Sequence, residues 1–204
     1  EPYKFTNRKD EDHYIRATET AKGGIRYYIV KNNPEKYKDL IEDIPNGFEV
    51  VETPEEGRVI FRKRIPKLIT VDERLIIEDA VRELSDLKDF IVYVDGDLLT
   101  IFYSQFNYIG GQEENLTAEE ADELHYGDTK KWKRYFEGMY FRIIDTKKRI
   151  FEVHRRTFLS LFDSGTALLE TSDDLHYLAD KYCPHLGQLD AFQKEVLCNL
   201  PLLW

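Results

Sequence analysis

Short runs rich in aromatic and β-branched residues, each bounded by turn-forming residues, recur along most of this chain and limit what it can fold into. Residues 3–6, 13–18 and 25–31 come first, separated by polar residues 7–12 and by residues 20–24, which contain the pair Gly23-Gly24. Such runs fit a pleated, half-buried surface, and glycine supplies the positive φ that hairpin turns require. A three-stranded meander is the expectation. The same signals predict hairpins from 47–52 and 58–64 across Thr53-Pro54-Glu55-Glu56-Gly57, and from 90–94 and 98–103 across Asp95-Gly96-Asp97. A longer hairpin is expected from 134–144 and 149–157, turning at Asp145-Thr146-Lys147-Lys148.

Helical signals are fewer. Thr70-x-x-Glu73 has the form of a capping box, in which hydroxyl and carboxylate each bond an orphan backbone N–H. The helix it opens spans 71–87, with Ile76, Ile77, Ala80, Val81, Leu84 and Leu87 on one face. Residues 47–104 therefore spell β-β-α-β-β. A short helix is expected at 34–41, with Asn33 as N-cap and Pro34 in the first turn. Gly110-Gly111 begins a polar linker, and Thr117-x-x-Glu120 opens an acidic helix to about His125. Near the end, Thr171-x-x-Asp174 predicts a helix with Leu175, Leu178, Ala179 and Tyr182 on its apolar face. Residues 189–200 predict another, and the chain closes on Pro201-Leu202-Leu203-Trp204.

The expected fold is α+β: antiparallel hairpins and a meander, one central amphipathic helix packed on the sheet, and a C-terminal helical hairpin. Two subdomains are expected, 1–110 and 111–204, packed as one body. At 204 residues the chain can bury one good core or two small ones. No apolar run approaches the roughly 20 residues of a membrane span. Two cysteines make no disulfide framework, so cytoplasmic residence is the expectation.

The net charge of −10 argues against non-specific nucleic-acid binding by the whole chain, yet it conceals an asymmetry. Residues 130–156 hold ten Lys/Arg against three acids, while residues 113–128 are strongly acidic. Lys130, Lys131, Trp132, Lys133 and Arg134 interleave cations with an aromatic ring, which suits phosphate contact plus base stacking. Arg142, Arg155 and Arg156 follow on the hairpin. Strand alternation puts Arg142 and Ile144 on one face and Phe141 and Ile143 on the other, so cations can line one face beside Tyr140. Glu152-x-His154 sets a carboxylate and an imidazole on one strand face, either as an acid/base pair or as ordinary cross-strand bonding.

Tyr182-Cys183-Pro184-His185-Leu186-Gly187 brings a thiol and an imidazole into one turn. With His176 one helix earlier and Cys198 one helix later, Cys183 and His185 could make a Cys₂His₂ zinc set, although the spacing departs from usual zinc modules. The structural reading is a helix stop, in which Pro184 disfavours helical geometry at Cys183 and Gly187 admits a left-handed residue. Phosphate-binding glycine loops, metalloprotease and EF-hand motifs are absent from the sequence.

Arg26-Tyr27-Tyr28, Ile44-Pro45-Asn46-Gly47-Phe48-Glu49, Lys67-Leu68-Ile69-Thr70 and the Cys183 turn resemble phrases of a group of microbial proteins with no assigned function. The resemblance implies one inherited unit and transfers no catalytic residue, cofactor or substrate. The functional expectation is a non-enzymatic interaction module whose charge-polarised surface binds another protein. Nucleic-acid contact through 130–156 is the first alternative, and a zinc- or thiol-dependent centre at Cys183 and His185 the second.

Overall fold

The structure is a computed structural model that describes residues 1–104, 131, 133–160 and 163–187. The chain divides into two compact units, Glu1–Ile65 with Asp128–Arg134, and Pro66–Gly127 with Tyr135–Trp204.

In the first unit, β1 (Phe5–Thr6), β2 (Asp12–Glu19) and β3 (Ile25–Lys31) form an antiparallel sheet in chain order, as the turn signals predict. A separate two-stranded sheet pairs β4 (Phe48–Glu52) with β5 (Val59–Lys63). The Tyr27, Phe48 and Phe61 rings gather, with centroids 4.9 to 5.3 Å apart. Buried Asn7 stitches two turns together. Its Oδ1 accepts from the Lys9 and Glu11 backbone N–H groups, and its Nδ2 donates to the Gly57 carbonyl at 2.9 Å.

The helix expected at 34–41 contracts to a 3₁₀ turn at Pro34–Lys36. Asn33 adopts a left-handed conformation and makes no side-chain cap, so nothing propagates a helix. The chain beyond instead runs extended beside β2. Ala17 N–H donates to the Asp39 carbonyl, Ile41 N–H donates to the Ile15 carbonyl, and Arg16 grips the Asp39 carboxylate at 2.8 and 2.9 Å.

The second unit is a five-stranded antiparallel sheet. Its strands are β6 (Phe90–Asp95), β7 (Leu98–Ser104), β8 (Tyr135–Asp145), β9 (Ile150–Ser160) and β10 (Asp163–Ser172), in the spatial order β10-β9-β8-β7-β6. Helices α1 (Val71–Leu84) and α2 (Leu175–Tyr182) share its core. Ile77, Ala80 and Val81 of α1 and Leu175, Leu178 and Ala179 of α2 pack with Leu99, Ile101, Met139, Phe141, Ile143, Phe151 and Val153. Each large side chain buried there contributes about 1.5–3 kcal/mol. The capping box is present, with Glu73 N–H on Thr70 Oγ1 at 3.2 Å and Thr70 N–H on Glu73 Oε2 at 2.8 Å. Helix α1 ends earlier than periodicity predicts. Ser85 Oγ donates to the Val81 carbonyl and accepts from the Leu87 N–H, which leaves Leu84 exposed and turns Leu87 into the core.

Two expectations about architecture are corrected. Residues 47–104 do not form one sheet around a helix, because β4–β5 and β6–β7 belong to different sheets. Nor is the molecule a balanced α+β fold with a C-terminal helical hairpin. Strand makes up 45% and helix 19% of the described residues, so antiparallel β dominates over two short helices. Much of the difference is β10, whose sequence DSGTALLETS gives little propensity signal and which takes strand geometry by pairing with β9. Helix α2 is N-capped by Asp174, which accepts from Tyr177 N–H at 2.9 Å, and not by Thr171. It runs into a 3₁₀ turn at Cys183–His185, with Cys183 still in helical geometry despite the following proline. The readings at 110–125, 189–200 and 201–204 lie outside the described residues.

Candidate interaction face of the five-stranded sheet

Strand alternation in the second unit divides the sheet into two chemically different faces. Met139, Phe141 and Ile143 of β8 and Phe151 and Val153 of β9 point to the helices. Their neighbours, Tyr140, Arg142, Glu152, His154 and Arg156, therefore lie on the opposite face. Register extends this face across every strand. Tyr93 pairs with Thr100, Thr100 with Tyr140, Tyr140 with His154, and His154 with Leu168, giving one row over β6 to β10. A second row runs Asp95, Leu98, Arg142, Glu152, Thr171.

The first row is aromatic and ordered. The Tyr140 and His154 rings stack with centroids 4.6 Å apart and planes 9° from parallel. His154 Nε2 lies 3.0 Å from the Glu152 carboxylate, which fixes the imidazole's orientation. Tyr93 meets Phe102 edge-on at 6.5 Å. Arg142 lies over the Tyr140 ring, 5.8 Å from its centroid. At the end of the row, Leu168 is 53% exposed, an aliphatic side chain presented to solvent.

The cations of this face have acids beside them. Arg156 donates to Glu137 at 2.7 Å, and Arg142 lies 3.6 Å from Asp97. The Nε–H groups of both arginines are shielded, yet neither meets a hydrogen-bond acceptor among the described residues. Half-exposed pairs of this kind are each worth about 0–1 kcal/mol, so a partner can rearrange them cheaply. A bulge at β7–β8 shapes the same sheet. A Cβ on Gly138 would come within 2.6 Å of the Tyr103 ring, so the close packing there depends on glycine.

The residues named in the sequence as an interaction surface are distributed over both units. Arg142 and Arg156 share the outer face, whereas Arg155 pairs with Met139 on the opposite strand face. Lys131, Lys133 and Arg134 fall in the first unit, where Lys133 is buried and Arg134 bonds Glu56 at 2.6 Å. Lys130 and Trp132 lie outside the described residues. Glu152 and His154 are brought together, on the same face as the arginines. No sequence motif marks Tyr93, Thr100 and Leu168, which only strand register joins to that row.

Around the 3₁₀ turn, Cys183 is fully buried while His176 and His185 are exposed. Burial, with Asp180 nearby, pushes the Cys183 thiol up to about 12. Among the described residues no three His, Cys, Asp or Glu side chains gather to hold a metal ion. Cys198, the fourth member of the zinc set, lies outside the described residues. No helix among the described residues is long and apolar enough to cross a membrane. Compared with protein-family models, curated proteins and solved structures, the chain matches none of them.

Proposed function

We propose that this chain is a non-enzymatic interaction module that docks another protein on the outer face of its five-stranded sheet. The observation that carries the reading is the row Tyr93, Thr100, Tyr140, His154, Leu168, in which Thr100 is buried, the three rings are half-buried and Leu168 is exposed at the end. Aromatic rings held by strand pairing give contact area at little entropic cost, as protein-binding surfaces require. Acids outnumber cations there, with Arg142 and Arg156 standing among Asp97, Glu137 and Glu152. Such a face favours a protein over a phosphate backbone, which needs cations in excess.

The reading is tested by placing a photoreactive residue at Leu168 of the full chain in its native host, with Lys22 of the first unit as control. The expected result is a discrete protein adduct from position 168, absent from position 22 and lost in Arg156→Glu. Nuclease-sensitive adducts, or identical adducts from both positions, would overturn it.

A further inference from the structure

The first unit contains a cavity of about 790 Å³, lined along two strands that belong to different sheets, β3 and β5. Its size falls in the range of small-molecule sites, roughly 300–1,000 Å³. Tyr27, Tyr28 and Phe61 give it aromatic walls, and Tyr27 and Phe61 touch at a centroid distance of 4.9 Å.

Its polar groups are unevenly satisfied. Lys31 is bonded to Glu11, and Glu56 to Arg134, so both acids of the lining are already engaged. Lys9, Arg58 and Lys131 line the same cavity, and Lys9 and Arg58 form no ion pair with an acid among the described residues. His13 also lines it and is only 3% exposed. Its Nδ1 donates to the Glu11 carbonyl at 2.9 Å, which leaves Nε2 as the ring nitrogen available to a ligand.

We propose that this cavity binds a nucleoside monophosphate, with the base against Tyr27 and Phe61 and the phosphate between Lys9, Arg58 and His13. A phosphate monoester carries about −1.5 to −2 charges at neutral pH, which matches two unpaired cations better than a single carboxylate does. Arg58 supplies the fork that suits phosphate oxygens, and Lys9 a compact point charge. His13 Nε2 donates to a phosphate oxygen when protonated and accepts from a ligand hydroxyl when neutral. The flat rings of the walls explain why a base, and not a second charged group, occupies the remainder. This site lies wholly in the first unit.

Calorimetric titration of the full chain with AMP, GMP, CMP and UMP, and separately with adenosine and inorganic phosphate, tests the proposal. At least one monophosphate is expected to bind about tenfold or more tightly than either fragment, because ring and phosphate contacts reinforce each other. Arg58→Ala, at an exposed position, is expected to weaken that binding about tenfold or more while the far-ultraviolet spectrum stays that of the parent. The His13 ring resonances are expected to shift on addition of the monophosphate. Saturable binding of inorganic phosphate as tight as any monophosphate, no binding of any monophosphate, or His13 resonances that do not move would overturn the proposal.

Discussion

Cys183 has the two attributes that usually advertise reactivity, a thiol and a histidine two positions away, but its surroundings remove the chemistry. Nucleophilic sulfur is thiolate, and burial has pushed this thiol up to about 12. Near pH 8 only about one molecule in ten thousand carries the charge, by the tenfold-per-unit rule of acid–base equilibrium. His185 cannot lower that value because it is exposed while the sulfur is enclosed with Leu186 and the α2 residues. In a Cys198→Ser background, alkylation of native protein by iodoacetamide at pH 8 is therefore expected to be slower than alkylation of the urea-unfolded chain by about tenfold or more. Equal rates, followed by mass spectrometry, would sink this account of the residue. The motif was visible in the sequence, whereas the opposite exposures of its sulfur and its imidazoles were not, since they follow from how α2 packs.

Element-scale features divide by the range of the interactions that specify them. The capping box of α1 and the Asp95-Gly96-Asp97 turn are written within four residues, and both were legible. Strand β10 and the row from Tyr93 to Leu168 depend on partners far along the chain, and on bulges that shift register at Ile101/Phe102 and Leu168/Glu170. Nothing local announces such shifts. Of the candidate face, the sequence could show that Arg142 lies beside Tyr140 and that Glu152 and His154 share a side, but not that these groups meet. The capping box itself does more than its motif implies. Glu73 also receives the Arg149 guanidinium, Nε at 2.8 Å and Nη2 at 2.5 Å, while Nη2 donates to the Leu68 carbonyl. Burial pulls the Glu73 carboxyl upward, and the Arg149 and Thr70 hydrogen bonds outweigh it, so the net direction is down. Thr70→Ala removes one cap bond and is expected to cost about 1 kcal/mol. Glu73→Ala removes the other and strands Arg149 at the β8–β9 turn, so it is expected to cost more, about 2–4 kcal/mol. Urea unfolding followed by circular dichroism ranks the two; a larger loss for Thr70→Ala would contradict the tie between α1 and that turn.

At the scale of the whole molecule, each unit holds one carboxylate well below its ordinary range. In the first unit, hydrogen bonds from Arg16 and then Thr18 hold Asp39 at about 2, below its ordinary 3.8. In the second, Lys181, Tyr182 and Tyr177 hold Glu170 at about 2, below its ordinary 4.5. Both folded values lie below the unfolded ones, so between them the unfolded chain binds more protons than the folded chain. Their stabilisation is complete above the unfolded values and is lost as pH falls through that window towards 2. Acid also titrates every other carboxylate of a chain with 39 acids and 29 Lys/Arg, so its net charge reverses and adds self-repulsion. The comparison that isolates each pair is parent against Asp39→Asn or Glu170→Gln. At neutral pH each variant is expected to be less stable than the parent, and the difference is expected to shrink as pH falls from about 4.5 to 2. Hydrogen exchange assigns each loss to its unit, with Asp39→Asn weakening amides of β2 and Glu170→Gln those of α2 and β10. A difference that holds constant down to pH 2 would mean that neither carboxylate is held by its ion pair, and that the acid response of this chain is a matter of total charge alone.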